Sequence, residues 1–285
     1  MVVTQILLNG ILLGGLYGLM ALGMALVWGV LNIVNLAHGA LIMLGGYVVY
    51  YLFRYAGIDP FAALPIAMIV MFGFGFALQY FVLNLIVRSA LLNTLLITFG
   101  LDVVITYLAQ ILFTADFRAI NPSYAGANFA VFGITVPTVR LAAFCVAVLL
   151  AAAVWFLLNR LPLGRAIRAT AQNLVAARLY GVDPRILYAV TFGIGSALAG
   201  AAGGLYGTIA NLTPYIGASL TAKSFVIAII GGLNNPFYVI LGGIFVGIAE
   251  SLAALYLGPT YTDVISFGLL VLVLVLRPPR SVRAA

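Results

Sequence analysis

The sequence predicts an all-α fold, a polytopic transmembrane helical bundle, and three observations carry that prediction. Its 285 residues are 65% hydrophobic and 7% charged, with a mean hydropathy of +1.23, whereas soluble chains carry roughly a quarter charged residues. Uncharged runs are long: apart from the titratable His38, residues 1–53 carry no formally charged side chain, and 186–222 form a second such stretch. The one long polar interruption, residues 161–184, gathers arginines as a loop at a membrane surface does.

A spanning helix takes about 20 apolar residues. By length and composition about 8 spanning helices are expected, at 2–30, 36–53, 61–87, 91–114, 141–159, 186–210, 238–257 and 264–276. The apolar piece 219–233 is only about 20 Å long at helical rise and reads as half of a broken or re-entrant helix. The N-terminus lacks a basic region and its apolar run exceeds the roughly 7–15 residues of a signal-peptide core, so the first segment is expected to be retained. No linker or low-complexity stretch divides the chain, and 1–285 is expected to form a single transmembrane domain.

Basic residues orient such a bundle. Arg160, Arg165, Arg168, Arg178 and Arg185 fall between positions 160 and 185, out of 13 Lys and Arg in all. That places 161–184 in the cytoplasm, together with Arg88 and with Arg277, Arg280 and Arg283. Residues 116–140 then face outward, with Asp59, Asp116, Asp263 and the N-terminus. The net charge of +7 and pI of 9.7 follow from this orientation and call for no nucleic acid partner. Cys145 is the single cysteine, which excludes an intrachain disulfide, and with one histidine no metal site or cofactor is expected.

The loop is punctuated as a structure of its own. Asn173 is placed to cap a short helix 174–180, Gly181 suits the left-handed position that ends one, and Asp183-Pro184 starts the next helix. Leu174, Val175, Leu179 and Tyr180 give that helix an apolar surface beside Arg178, which a solvated connector does not need.

Within the apolar segments a few polar residues stand out. Residues 217–224, GASLTAKS, approach the phosphate-loop pattern, but Ala222 replaces its second glycine and an apolar run follows. Lys223 and Glu250 are charges at bilayer depth, each costing about 3 kcal/mol by insertion scales. If the chain reverses near Asn234, their axial offset is roughly 7 Å, so they either pair or anchor separately at an interface and on a neighbouring helix. Asn32, Asn35 and His38 recur every third residue, which on an ideal helix spreads them over an arc of roughly 120° rather than a tight cluster; interhelical hydrogen bonds or a polar lining at a helix break are the expected roles. Asp102, Asn211, Thr213 and Thr221 complete the candidate pathway residues. The identical strings 14–18 and 203–207, GGLYG, suggest a diverged internal repeat or simply close helix packing.

Taken together, the segment 9–47 (NGILLGGLYGLMALGMALVWGVLNIVNLAHGALIMLGGY), then LLITFGLDVVI, GRAIRATAQNLVAARLYGV, KSFVIAIIGGLNNP, GGIFVGIAE and FGLLVLVLVLRP resemble, in that order, the permease of bacterial branched-chain amino acid ABC importers. The resemblance covers nearly the whole chain. Asn173, Leu174, Val175, Ala176, Ala177, Arg178, Leu179, Tyr180 and Gly181 match the cytoplasmic coupling loop of ABC permeases, with Val175 replacing the usual leading Glu. It implies a permease subunit, not an enzyme, in the bacterial inner membrane. It also implies a second related permease subunit, two cytoplasmic ATPase subunits, an external substrate-binding protein and a small-molecule substrate, either a branched-chain or similar amino acid or, alternatively, urea or a short amide. An ion-coupled secondary transporter is the other class that the Lys223 and Glu250 charges allow. A membrane-embedded enzyme is disfavoured by the lack of a Ser-His-Asp set or paired carboxylates.

Overall fold

The structure, a computed structural model, describes residues 2–87, 91–131, 133–233 and 235–276. The expected places of Arg88, Arg277, Arg280 and Arg283 and the turn at Asn234 lie outside the described residues. Among the described residues eleven α-helices follow one another: α1 (Val2–Leu31), α2 (His38–Ala56), α3 (Pro60–Phe81), α4 (Leu91–Phe113), α5 (Thr138–Arg160), α6 (Pro162–Gln172), α7 (Leu174–Leu179), α8 (Pro184–Gly207), α9 (Ile216–Gly231), α10 (Pro236–Tyr256) and α11 (Thr262–Leu276). A small antiparallel hairpin, β1 (Asn128–Val131) and β2 (Ile134–Pro137), precedes α5.

Among the described residues seven helices are long and apolar enough to cross a membrane, one fewer than the eight expected. The difference is α11, whose 15 residues extend about 22 Å at helical rise, short of a hydrocarbon core of roughly 30 Å. The half-helix expected at 219–233 is α9, 16 residues long. The chain is a multi-pass membrane protein.

The order of helices is repeated in inverted form. α1 begins where Gln5 exchanges hydrogen bonds with the Thr135 backbone, at 2.6 and 2.8 Å, and ends where Gly29 faces Leu233. α8 runs the other way, from Arg185, whose carbonyl accepts from Asn84 at 3.2 Å, to Gly207, whose carbonyl accepts from Ile120 N–H at 2.9 Å. Each long helix is followed by an irregular segment, 32–37 or 208–215, and then by two further helices. The most extensive contacts are α1 on α10 and α3 on α8, which are equivalent pairs under exchange of α1–α2–α3 with α8–α9–α10. The two GGLYG strings are not in register in this repeat: Gly14–Gly18 lie mid-way along α1, and Gly203–Gly207 end α8.

Glycine makes these contacts close, because at bilayer depth helices associate by packing rather than by expelling water. A Cβ on Gly14 would stand 2.5 Å from Ile244 Cα, and one on Gly45 would stand 2.2 Å from Gly200 Cα. The lipid-facing helices are built oppositely: α3 and α4 expose Ile69, Phe74, Leu92, Leu96, Phe99 and Ile111.

Candidate functional site

The helices that follow the two irregular segments cross at their starts inside the bundle. Asn32 takes a left-handed φ of 53°, which breaks α1, so Asn32, Asn35 and His38 lie at a helix break, as expected, and not along one helical arc. Asn32 is exposed, while Asn35 and His38 are buried. Asn35 Oδ1 accepts from Ala37 N–H at 3.1 Å, and its carbonyl accepts from His38 N–H at 3.3 Å. The Asx turn thus replaces the missing helical bonds at the start of α2. His38 Nε2 lies 2.8 Å from the Met20 carbonyl, and since a carbonyl only accepts, this nitrogen carries the proton. Met20 is eleven residues before the end of α1, so α2 starts about 16 Å inside that end.

α9 starts against it. Gly39 N–H donates to Thr221 Oγ1 at 2.8 Å, and Thr221 Oγ1 donates to the Leu36 carbonyl at 3.2 Å. A Cβ on Gly39 would fall 1.8 Å from the Gly217 carbonyl oxygen, so this crossing of two helix starts admits only glycine. Irregular backbone is tolerated at membrane depth when it is enclosed by protein, and here each break is closed by the other's first turn.

Two residues further along α9, Lys223 Nζ lies 3.0 and 3.1 Å from the two oxygens of Glu250 on α10. Ser266 of α11 donates to the same carboxylate. Tyr17 of α1 presents its ring 5.0 Å from the ammonium, with its hydroxyl at 3.5 Å. Four helices therefore converge on one ion pair, which is 15% exposed at Lys223 and 5% at Glu250. The exposed part faces a cavity of about 240 Å³ lined by Ala218, Ser219, Ala222, Lys223, Val226, Ser266 and Phe267. Residues 217–224 are helical throughout, which removes the strand and open loop that a phosphate loop needs.

At the opposite pole of chemistry, α7 is a short helix with both ends closed. Asn173 Oδ1 accepts from Ala176 N–H at 3.0 Å, and Gly181, at φ +83°, lets Val182 N–H reach the Ala177 carbonyl at 3.1 Å. Asp183 Oδ1 accepts from Arg185 N–H at 2.9 Å and begins α8 at once. Val175, Leu179 and Tyr180 are 69, 83 and 90% exposed. α6 holds α7 in place: Gly164 packs against the Leu157 and Leu158 backbone, Ile167 is buried, and Arg168 donates to the Leu158 carbonyl and, at 2.8 Å, to Asn159 Oδ1.

A family model described as the branched-chain amino acid transport system / permease component matches residues 6–274. This chain belongs to that family. Among curated relatives it is 31% identical to the high-affinity branched-chain amino acid transport system permease protein BraD of Pseudomonas aeruginosa, covering 96% of this chain and 94% of the relative. It is also 31% identical to the LivH protein of the corresponding system in Escherichia coli (96% and 93%) and 30% identical to LivM of the same organism (92% and 67%). A solved structure, PsaBC from Streptococcus pneumoniae in complex with Fab, is similar in fold, with a TM-score of 0.50, 12% identity, and coverage of 95% of this chain and 91% of that one.

In this permease component the structure brings some of the expected residues together and leaves others apart. Thr221, Asn35 and His38 gather where α2 and α9 start, and Lys223 pairs with Glu250 rather than anchoring separately. Thr213 is buried in the segment before α9, with its carbonyl 3.4 Å from Ile216 N. Asn211 is exposed at the hairpin end, and Asp102 sits half-buried on α4 with Oδ1 lacking a hydrogen-bond partner. Tyr17 and Ser266 are members of the ion-pair cluster that sequence reasoning did not select. Arg118 was missed as well: its backbone pairs with Leu212, and its guanidinium donates to the Phe113 carbonyl at 2.8 Å and stacks on Tyr50. The Tyr50 hydroxyl beside it holds the Arg118 guanidinium above its ordinary value.

Proposed function

We propose that this chain is one of the paired permease subunits of an ATP-driven importer in the bacterial inner membrane, carrying branched-chain amino acids delivered by an external binding protein. Two ATPase subunits dock on the α6–α7 end, which faces the cytoplasm, while the hairpin end faces outward. The relatives named above support the cargo and the kind of assembly. One observation carries the mechanism: α7, a helix of six residues, exposes Val175 and Leu179, and Tyr180 at its C-terminal cap is exposed beside them. A helix so short gains little stability by itself, so a partner groove accounts for an apolar surface that water alone would penalise.

The mechanics follow from how α7 is mounted. Asn173, Leu174, Val175, Ala176, Ala177, Arg178, Leu179, Tyr180 and Gly181 form the coupling element. Ala177 is buried against the body of the protein, and α6 is clamped to the end of α5 through Gly164 and Arg168. A push on α7 therefore passes to α5 and α8 with little slack. Leu179→Asp and Gly181→Val test this. Both variants are expected to reach the membrane yet lose co-purification with the ATPases and substrate-stimulated ATP hydrolysis. Normal co-purification with full stimulation would reduce α7 to a connector. Uptake of labelled leucine against labelled urea decides the cargo, and the proposal requires leucine.

A further inference from the structure

We infer that the Lys223–Glu250 pair is where the permeating amino acid is held. The Glu250 carboxylate takes the substrate's ammonium group and the Lys223 ammonium takes its carboxylate, in the groove between α9 and α11. This rests on the importer reading above and narrows it to a site.

Four features of the cluster fit that role. First, an ion pair enclosed by helices is seldom retained for stability, since apolar replacements of similar shape serve as well or better. A pair that keeps 15% of its lysine open to a cavity of about 240 Å³ is placed to exchange partners. Second, the pair is neutral overall, so it accepts a zwitterion by turning one ion pair into two, while a species with a single charge leaves one partner unmatched in a low-dielectric surrounding. Third, the protein holds each charge by a second contact when the pair opens. The Tyr17 ring lies 5.0 Å from the ammonium, and Ser266 donates to the carboxylate. Fourth, the groove beside the pair is lined on α9 by the small side chains of Ala218, Ser219 and Ala222, which leave room for a branched aliphatic side chain. The neighbouring lipid-facing helices carry bulky residues instead, as at Leu96 and Ile111.

The test uses the complete complex reconstituted in proteoliposomes with its binding protein and labelled leucine. Uptake by the unmodified complex examines the importer reading alone, and its absence sinks both. With uptake established, the doubly neutral K223M/E250Q variant is expected to lose at least tenfold in uptake at low leucine, and the exchanged K223E/E250K variant is expected not to restore it, because the substrate's two charges would meet the wrong partners. Ser219→Leu fills the groove from an exposed position and leaves both charged side chains in the chain, so it keeps the question open to test if the paired variants assemble poorly. It is expected to cut uptake by a similar factor. Wild-type uptake by the exchanged variant would show a purely structural ion pair and overturn the inference, as would unchanged leucine kinetics in Ser219→Leu.

Discussion

The two breaks in the bundle share a geometry and differ in chemistry. At the α1–α2 break the polar groups that lie inside are neutral and turned onto the protein itself, Asn35 onto Ala37 and His38 onto the Met20 carbonyl. At the α9 start the counterpart helix carries a full charge two residues beyond Thr221, opposed by Glu250 and open to a cavity. Inverted repetition supplies two equivalent half-helix starts and clamps them through Gly39 and Gly217. Only one of them carries a full charge, so on the site proposed above the first break is a fixed bearing and the second the side that meets substrate.

The largest effect expected from attacking this comparison is at the shared clamp. Gly39→Val places carbon within 2 Å of where the Gly217 carbonyl lies, since even a single Cβ stands 1.8 Å away, and neither neighbour is a flexible side-chain end. Loss of both breaks together is expected, seen as failure to recover folded, complex-bound protein from membranes. Next comes Glu250→Gln alone, which leaves Lys223 without its counter-charge, and breaking one partner of a buried pair costs about 3–5 kcal/mol. A clear drop in the thermal stability of the purified complex is expected. The corresponding change at the neutral break, His38→Gln, keeps a donor near Met20 and should lower stability less. Smallest is Thr221→Val, which removes the hydroxyl that Gly39 N–H donates to and should cost about 1–3 kcal/mol. A larger loss in His38→Gln than in Glu250→Gln would invert the assignment of roles.

The short helix α7 was legible in the sequence because caps are local. Asn173, Gly181 and Asp183-Pro184 act within three residues of themselves, and each does in the structure what its chemistry suggests. Lys223 and Glu250 stood out because they are the charges in otherwise apolar segments. Their partners Tyr17 and Ser266 did not, since a tyrosine and a serine in a helix have many uses and only tertiary packing brings them to the pair. The break between Asn32 and His38 was legible as a gap between two apolar runs, but the three-residue spacing of its polar side chains carries no geometry once Asn32 leaves the helix at φ 53°. α6 escaped notice although Pro162 at its first turn and buried Gly164, Ile167 and Thr170 at three-residue spacing mark one helical face. The repeat was suspected from matching letters, yet the GGLYG strings serve different helix contacts, and its true register shows only in the order and direction of the helices.

The asymmetry between the breaks is tested most directly by thiol reactivity. Cys145, which is exposed, is first replaced by Ala, and Ser219→Cys and Asn35→Cys are then compared in the assembled complex with a small, charged methanethiosulfonate reagent. Ser219 is exposed on the groove and Asn35 is 2% exposed. The account predicts rapid modification at position 219, slowed by leucine during turnover, and none at position 35. Equal reactivity at the two positions, or protection by leucine at position 35 alone, would contradict it.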